Sequence, residues 1–446
     1  MQLYSTKNRN HQVSLREAVF QGLPPDNGLY MPESIPRLPD SFFAELDGMD
    51  LAEIGYRVCK NLFGTTIPDA DLRQIVSQAI DFPAPLVQLD ASTYILELFH
   101  GPSLAFKDFG ARFMAQLMSY FNQEEEKELV ILVATSGDTG GAVAAGFYDT
   151  PGIQVVILYP SGKVSPLQEK QLTTLGKNVS AIEVDGTFDD CQALVKQAFL
   201  DTDLREQIRL SSANSINIAR LIPQSFYYFS AYQQLADKSK DPVFCVPSGN
   251  FGNLTAGILA HRMGLPVHHF IAATNANDVV PAYLQHGQYE PRPSVATLSN
   301  AMDVGAPSNF ARMIDLYGDS VSEIPVDSPL AWNNLRQKIS GYGITDEVTE
   351  ATMRAVHSWH DYTIDPHGAV GYAVLRHWQE LNSFDHPAII LETAHPAKFL
   401  EEVERILDTS IEVPERLASL AGKDKEATAM GVDFAPFRSY LLERFA

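Results

Sequence analysis

The chain has 446 residues, 45% of them hydrophobic and 20% charged, a globular composition that excludes a disordered or fibrous polypeptide. At roughly 150 residues per domain, this length predicts two or three domains, with a core large enough to need no metal or disulfide staple. With 33 basic against 55 acidic residues the net charge is −22 at pH 7, a surface that repels nucleic-acid backbones and anionic lipid.

The first residues, MQLYSTKNRN, are polar and lack the apolar stretch of a signal peptide. Residues 1–90 alternate Pro- and Gly-rich loops with short apolar helix-like pieces, which predicts a small N-terminal unit. From about residue 91 short apolar runs alternate with helical periods. Strands are predicted at 93–99, 128–135, 154–159, 242–247 and 387–393, with helices at 109–121 and 189–200 among the segments between them. This alternation implies α/β architecture with a mostly parallel sheet covered on both faces. Ligands in such sheets collect at the carboxyl ends of strands. Cys59, Cys191 and Cys245 are too few and scattered for a disulfide framework or zinc cluster, and read as buried thiols in a reducing compartment. The longest apolar runs, such as LVILVA at 129–134, are strand-length, so a cytoplasmic protein is expected.

Five stretches could carry chemistry. In HGPSLAFKDFGARF (100–113), Lys107 stands between Phe106 and Phe109 at the start of an apolar helix. An apolar setting disfavours its ammonium form and frees a nucleophilic amine, as a Schiff-base lysine needs. A stem buried with the charge reaching water is the plainer reading. Two strand–glycine loop–helix junctions, ATSGDTGG (134–141) and PSGNFGN (247–253), expose backbone N–H groups at helix N-termini and could cradle phosphate or carboxylate. Equally, each could be an ordinary turn with a capping side chain. Neither matches a Walker A loop or the G-x-G-x-x-G spacing, so nucleotide binding is disfavoured. SSANSINIARLIPQ (211–224) holds one cation, Arg220, in an anion pocket or in a surface pair. LETAHPAKF (391–399) ends a buried strand in Thr393, either as a functional hydroxyl or as part of a helix start. No HExxH pair or G-x-S-x-G elbow supports metal catalysis or a hydrolase triad.

Taken together and in order, FKDFG (106–110), ATSGDTGG (134–141), SSANSINIAR (211–220), PSGNFGN (247–253) and ETAHPAKF (392–399) resemble the threonine synthases, pyridoxal-phosphate enzymes of the tryptophan synthase β-like, fold type II family. The resemblance covers essentially the whole chain, including the YSTKN and SLREAVFQGLPPDNGLYMPE segments typical of the bacterial and fungal branch. It implies two three-layer α/β/α domains plus a small N-terminal domain: residues 1–90, a large cofactor domain of 91–125 and 220–446, and a smaller mobile substrate domain of 126–219.

The same resemblance implies roles for particular residues. Lys107 holds pyridoxal 5'-phosphate through its amine. Gly249, Asn250, Phe251, Gly252 and Asn253 cradle the cofactor phosphate, and Thr393 meets the ring nitrogen. Ser136, Gly137 and Thr139 hold the substrate carboxylate. Asp138 faces the cofactor's phenolic oxygen, which it would repel unless protonated or turned away. Chemistry and motif together assign Ser215, Asn217 and Arg220 to the substrate phosphate. The implied reaction is a β,γ-replacement on O-phospho-L-homoserine giving L-threonine, with Lys107 moving the α- and β-protons. A phospholyase releasing 2-oxobutyrate or a threonine dehydratase-like deaminase would use the same cofactor. A non-catalytic cofactor-binding protein could dispense with Lys107. The family contains both monomers and homodimers.

Overall fold

Runs of Val, Ile and Leu become strands because alternate side chains can be buried on both faces of a parallel sheet. The structure is a computed structural model describing residues 1–446 apart from 124, 126, 136, 319–324 and 384. Its strands are β1 (Gln2–Ser5), β2 (Asn8–Ser14), β3 (Tyr30–Pro32), β4 (Leu86–Gln88), β5 (Thr93–Glu97), β6 (Leu129–Ala134) and β7 (Ile153–Pro160). There follow β8 (Val179–Val184), β9 (Arg209–Ser212), β10 (Val243–Pro247), β11 (His269–Thr274), β12 (Ile339–Gly343), β13 (Ala388–Glu392) and β14 (Thr428–Met430). They form three sheets, ordered β2-β1-β3, β12-β11-β10-β13-β5-β4 and β14-β8-β7-β6-β9. The five-stranded sheet is wholly parallel, and the six-stranded sheet is parallel apart from β4 on β5.

The two-residue period sorts the side chains. Phe244 and Val246 of β10, with Leu129, Ile131 and Val133 of β6, share one large core. Val243 and Cys245 turn to a second core, and Val130 and Leu132 to a third. Each sheet is therefore covered on both faces, and one core is common to both. Every fully buried side chain of this kind contributes about 1.5–3 kcal/mol by leaving water.

All five predicted strands form, within a residue or two of their bounds, and the predicted helices are Lys107–Asn122 and Phe188–Leu200. Two features depart from the sequence-based expectation. The N-terminal unit contains an antiparallel three-stranded sheet. Residues 428–430, grouped with the large unit, pair with β8 of the other sheet. The final helix, Phe434–Phe445, then adds Phe437 and Leu441 to that sheet's outer core.

The N-terminal sheet is fastened to the site region by polar contacts. The Tyr4 hydroxyl donates to Asp315 Oδ2 at 2.5 Å and Arg9 pairs with Asp315 Oδ1 at 2.9 Å. Buried Arg312 donates to the carbonyls of Tyr30 at 3.1 Å and Ile216 at 2.7 Å. Fastening Ile216 in this way orders the segment that leads to Arg220.

Candidate active site

Lys107 opens its helix where two strand ends converge. An antiparallel bridge joins Ala105 to Ala394, flanked by Phe106 N–H donating to Thr393 O at 2.9 Å and His395 N–H to Leu104 O at 3.0 Å. Leu104 is held in the left-handed region, φ 58°, as the chain turns into the helix. These constraints fix the end of β13 beside the start of the Lys107 helix. Two residues further on, Phe109 packs edge-on against Phe82 at 4.8 Å and Tyr227 at 5.0 Å and anchors the start of this helix in the core. Burial lowers the Lys107 pKa, Asp138 counteracts, and the charges of Lys398 and Arg220 lower it again.

Asp138 lies between two ammonium groups. Its Oδ2 is 3.7 Å from Lys107 Nζ and its Oδ1 is 2.9 Å from Lys398 Nζ. Gln168 Nε2 also donates to Oδ1, at 3.1 Å. Burial raises a carboxyl's pKa, yet Lys398 and Lys107 outweigh it and hold Asp138 well below the usual carboxylate range. Its carboxylate form is thus favoured, against the protonation that the sequence offered as one way to spare the phenolic oxygen. Its charge is balanced by Lys398 instead.

The loop before Asp138 is organised by Thr135, whose hydroxyl accepts from Gly137 N–H at 3.0 Å and Gly140 N–H at 2.8 Å. Gly137 has φ 145°, and a β-carbon there would stand 2.8 Å from the Gln168 amide, so only glycine fits. Its N–H, expected to serve the substrate carboxylate, is occupied by Thr135. Thr139 is half-buried next to Asp138. Ser136 lies outside the described residues.

The second loop is a cradle in fact. Phe251 is left-handed at φ 61° and caps the helix Gly252–Arg262. No hydrogen bond among the described residues uses the backbone N–H of Gly249, Asn250, Phe251, Gly252 or Asn253. At Gly249 a β-carbon would meet Met302 Cα at 2.7 Å, which reserves the space for backbone. Asn250 bridges the walls, donating to Ser215 Oγ at 2.9 Å and accepting from Ser308 N–H at 2.6 Å. Asn253 Oδ1 accepts from the hydroxyls of Tyr227 at 2.7 Å and Tyr228 at 2.9 Å.

Arg220 is 2% exposed and donates to Ala213 O at 2.6 Å, while its Nε has no partner. Burial pushes its pKa down to about 10, with Asp108 opposing. No carboxylate forms an ion pair with it among the described residues, so the surface-pair reading fails. A buried cation without a counter-charge is costly, and an incoming anion relieves that cost. Asn217 is different. Its Nδ2 donates to Val19 O at 2.8 Å and its Oδ1 accepts from Ala219 N–H at 3.0 Å. Both ends of its amide help to hold the chain, and one Nδ2 proton is left for the substrate phosphate to which the sequence assigns it.

Lys107 and Asp138 therefore meet, the charge of Arg220 acts on Lys107, Ser215 is tied to the second loop through Asn250, and Thr393 stands at the adjoining strand end. Sequence reasoning missed Lys398, although it lies within ETAHPAKF, because nothing local in that stretch marks it as the partner of a carboxylate 260 residues away. It also missed Asp365 and His367. His367 Nδ1 lies 2.6 Å from Asp365 Oδ2, and Ala301 N–H donates to His367 Nε2 at 3.3 Å, so Nδ1 carries the proton. That pair supports the Ala301–Met302 backbone on which Gly249 rests.

The residues fit pyridoxal phosphate. Five free N–H groups at a helix N-terminus suit its phosphate. Unpartnered buried atoms surround the cradle, namely Asn253 Nδ2, Asn309 Nδ2 and Gln224 Oε1. The Lys107 amine suits its carbonyl, and no side chain among the described residues takes the Thr393 hydroxyl, 6% exposed as a residue. No helix among the described residues is long and apolar enough to cross a membrane.

Comparison with known proteins agrees with this geometry. Residues 79–391 match the pyridoxal-phosphate dependent enzyme family, 2–80 the threonine synthase N terminus and 368–440 the threonine synthase C-terminal family. The threonine synthase of Haemophilus influenzae is 47% identical, covering 99% of this chain and 100% of its own. That of Escherichia coli is 45% identical over 99% of both. The crystal structure of PLP-bound threonine synthase from Brucella melitensis superposes with a TM-score of 0.93 at 35% identity, covering 100% of this chain and 99% of that one.

Proposed function

Because the chain belongs to the pyridoxal-phosphate-dependent threonine synthase family, we propose that it converts O-phospho-L-homoserine and water to L-threonine and phosphate, a lyase reaction on a phosphorylated amino acid. The observation that carries this reading is one nucleophilic lysine flanked by two anion sites, the free N–H cradle at 249–253 and the unpaired Arg220. A cofactor phosphate and a substrate phosphate need separate sites, and the unused donors at 249–253 and on Arg220 support assigning one to each.

When bound, pyridoxal phosphate supplies a carbonyl that condenses with amines and a ring that takes up electron density from the substrate. Lys107 is the group that binds it covalently, because burial and neighbouring cations lower its pKa and so favour the free amine. Released by the incoming substrate amine, Lys107 Nζ is the base that takes the α-proton and then a β-proton. Gly249, Asn250, Phe251, Gly252 and Asn253 hold the cofactor phosphate. Thr393 meets the ring nitrogen with a hydroxyl, which cannot keep that nitrogen charged as a carboxylate would. Arg220, with Ser215 beside it, receives the substrate phosphate and stays with it as it leaves, since guanidinium geometry matches phosphate oxygens. Ser136 and Thr139 are assigned to the substrate carboxylate. These sites reconcile an acidic protein with an anionic substrate, because local positive potential outweighs a screened global field.

The test is product analysis. Purified protein with pyridoxal phosphate and O-phospho-L-homoserine should release threonine and phosphate one for one, and Lys107→Ala should release neither. Phosphate accompanied by 2-oxobutyrate would identify a phospholyase, and absence of phosphate release would overturn the substrate.

A further inference from the structure

Lys398 is 1% exposed at its side chain, and it makes three contacts through one ammonium. They are Asp138 Oδ1 at 2.9 Å, Ser103 O at 2.8 Å and Gln171 Oε1 at 3.2 Å. An ammonium has three donors, so this set of acceptors is complete. Asp138 is divided between two lysines. Its Oδ1 is taken by Lys398 and Gln168, and its Oδ2 faces Lys107 at 3.7 Å without a second partner among the described residues.

We propose that Lys398 is a positioning residue that, by claiming Asp138, sets how strongly that carboxylate acts on Lys107. The proposal rests on the reading that Lys107 carries the cofactor. Without Lys398, Asp138 would have one cation left to pair with and would draw charge onto the Lys107 nitrogen. That nitrogen must lose its proton to act as nucleophile and base, so a free carboxylate beside it would hold it in the unreactive form. The other charged or titratable groups near the pair come from three elements. Asp108 follows Lys107 on its own helix, Arg220 approaches from the segment after β9, and the imidazole of His367, on the helix Pro366–Leu381, adds to the field at Asp138 only when it carries a second proton. Of these, only Lys398 touches Asp138 Oδ1 with a charge.

The test uses the holoenzyme and the pH titration of its cofactor absorbance, which reports protonation of the Lys107 nitrogen without turnover. Lys398→Met should raise the titration midpoint by at least about one pH unit, since an opposite charge at this range shifts a pKa by 1–3 units. Lys398→Arg should stay nearer the wild type. The double variant Asp138→Asn/Lys398→Met removes both charges, and its midpoint should return toward wild type. It also keeps the question open to experiment if Lys398→Met alone fails to fold, because it does not leave the Asp138 carboxylate buried without Lys398. An unchanged midpoint in Lys398→Met, or a double variant differing from wild type by more than about one unit, would overturn the proposal. Wild-type protein that titrates normally but makes no threonine would instead overturn the proposed reaction and leave this result standing.

Discussion

The Arg220 guanidinium lies directly against Gly110, one turn into the Lys107 helix: a β-carbon on residue 110 would stand 2.9 Å from Arg220 Nε and 2.8 Å from Arg220 O. A glycine in a helix costs about 1 kcal/mol relative to alanine. Here that cost leaves room for the buried cation.

Gly110→Ala should therefore lose more by crowding than it gains in helix propensity, a net destabilisation of about 1–3 kcal/mol. Displacement of Arg220 should raise KM for O-phospho-L-homoserine more than it lowers kcat. Steady-state kinetics with a thermal melt check both, and an unaltered KM would show that Gly110 does not position Arg220.

Arg220→Lys keeps the charge and loses the planar fork. A charge-assisted hydrogen bond contributes about 1.5–3 kcal/mol, so kcat/KM should fall roughly 10- to 100-fold. Inorganic phosphate should raise the melting temperature of the wild type by more than that of the variant. Equal stabilisation of the two would move the substrate phosphate elsewhere.

Asp108 is fully buried, and burial pushes its carboxyl up to about 6, against the hydrogen bond from Ser103 N–H at 2.9 Å. Below pH 4 it is protonated in both folded and unfolded states and costs nothing. Between about 4 and 6 only the folded state holds the proton, so stability falls as pH rises, reaching a penalty of about 3 kcal/mol above that window. Asp108→Asn lacks the ionisable group, so its stability relative to wild type should rise through this window and level off. Melts at pH 4.5 and pH 7.5 measure the difference, and a parallel pH dependence would rule out this carboxyl as the source.

Glu392 is fully buried, and burial followed by the charge of Asp365 holds its pKa well above the usual carboxylate range. Its Oε1 accepts from Asp365 N–H at 2.7 Å. With its neutral form favoured, it should tolerate Glu392→Gln with a change of less than about 1 kcal/mol, because the amide keeps shape and acceptor. Gly368→Ala should be far worse, since its β-carbon would fall 1.5 Å from Glu392 Oε2. Soluble yield and melting temperature of the two variants give the comparison, and a stable Gly368→Ala protein would contradict this packing.

Five strands, two helices, the reactive lysine and both glycine loops were legible from residue order, for a local physical reason. Apolar runs bounded by glycine and a helical period specify strand, turn and helix without reference to distant residues. The strands that escaped notice, such as β9 with its RLSS sequence and β14 with its TAM, owe their existence to a neighbour's free edge. Asn217 shows the same limit within the site. Its position in SSANSINIAR suggested a phosphate ligand, and residue order gave no sign that the N-terminal segment supplies Val19 O to the same amide.

By itself, then, the sequence determined the α/β architecture, the family resemblance and the cofactor, and it singled out Lys107 as the group proposed to take it. Tertiary structure decided how the charges are shared. Asp138 and Lys398 are 260 residues apart and meet at 2.9 Å only because β13 delivers one beside the helix that begins with the other. Arg220 forms no ion pair among the described residues, although Asp108 acts on it from the Lys107 helix, because packing holds its guanidinium against Ala213 O instead. Electrostatic roles depend on distance and burial rather than on residue order, and both are set when the sheets pack.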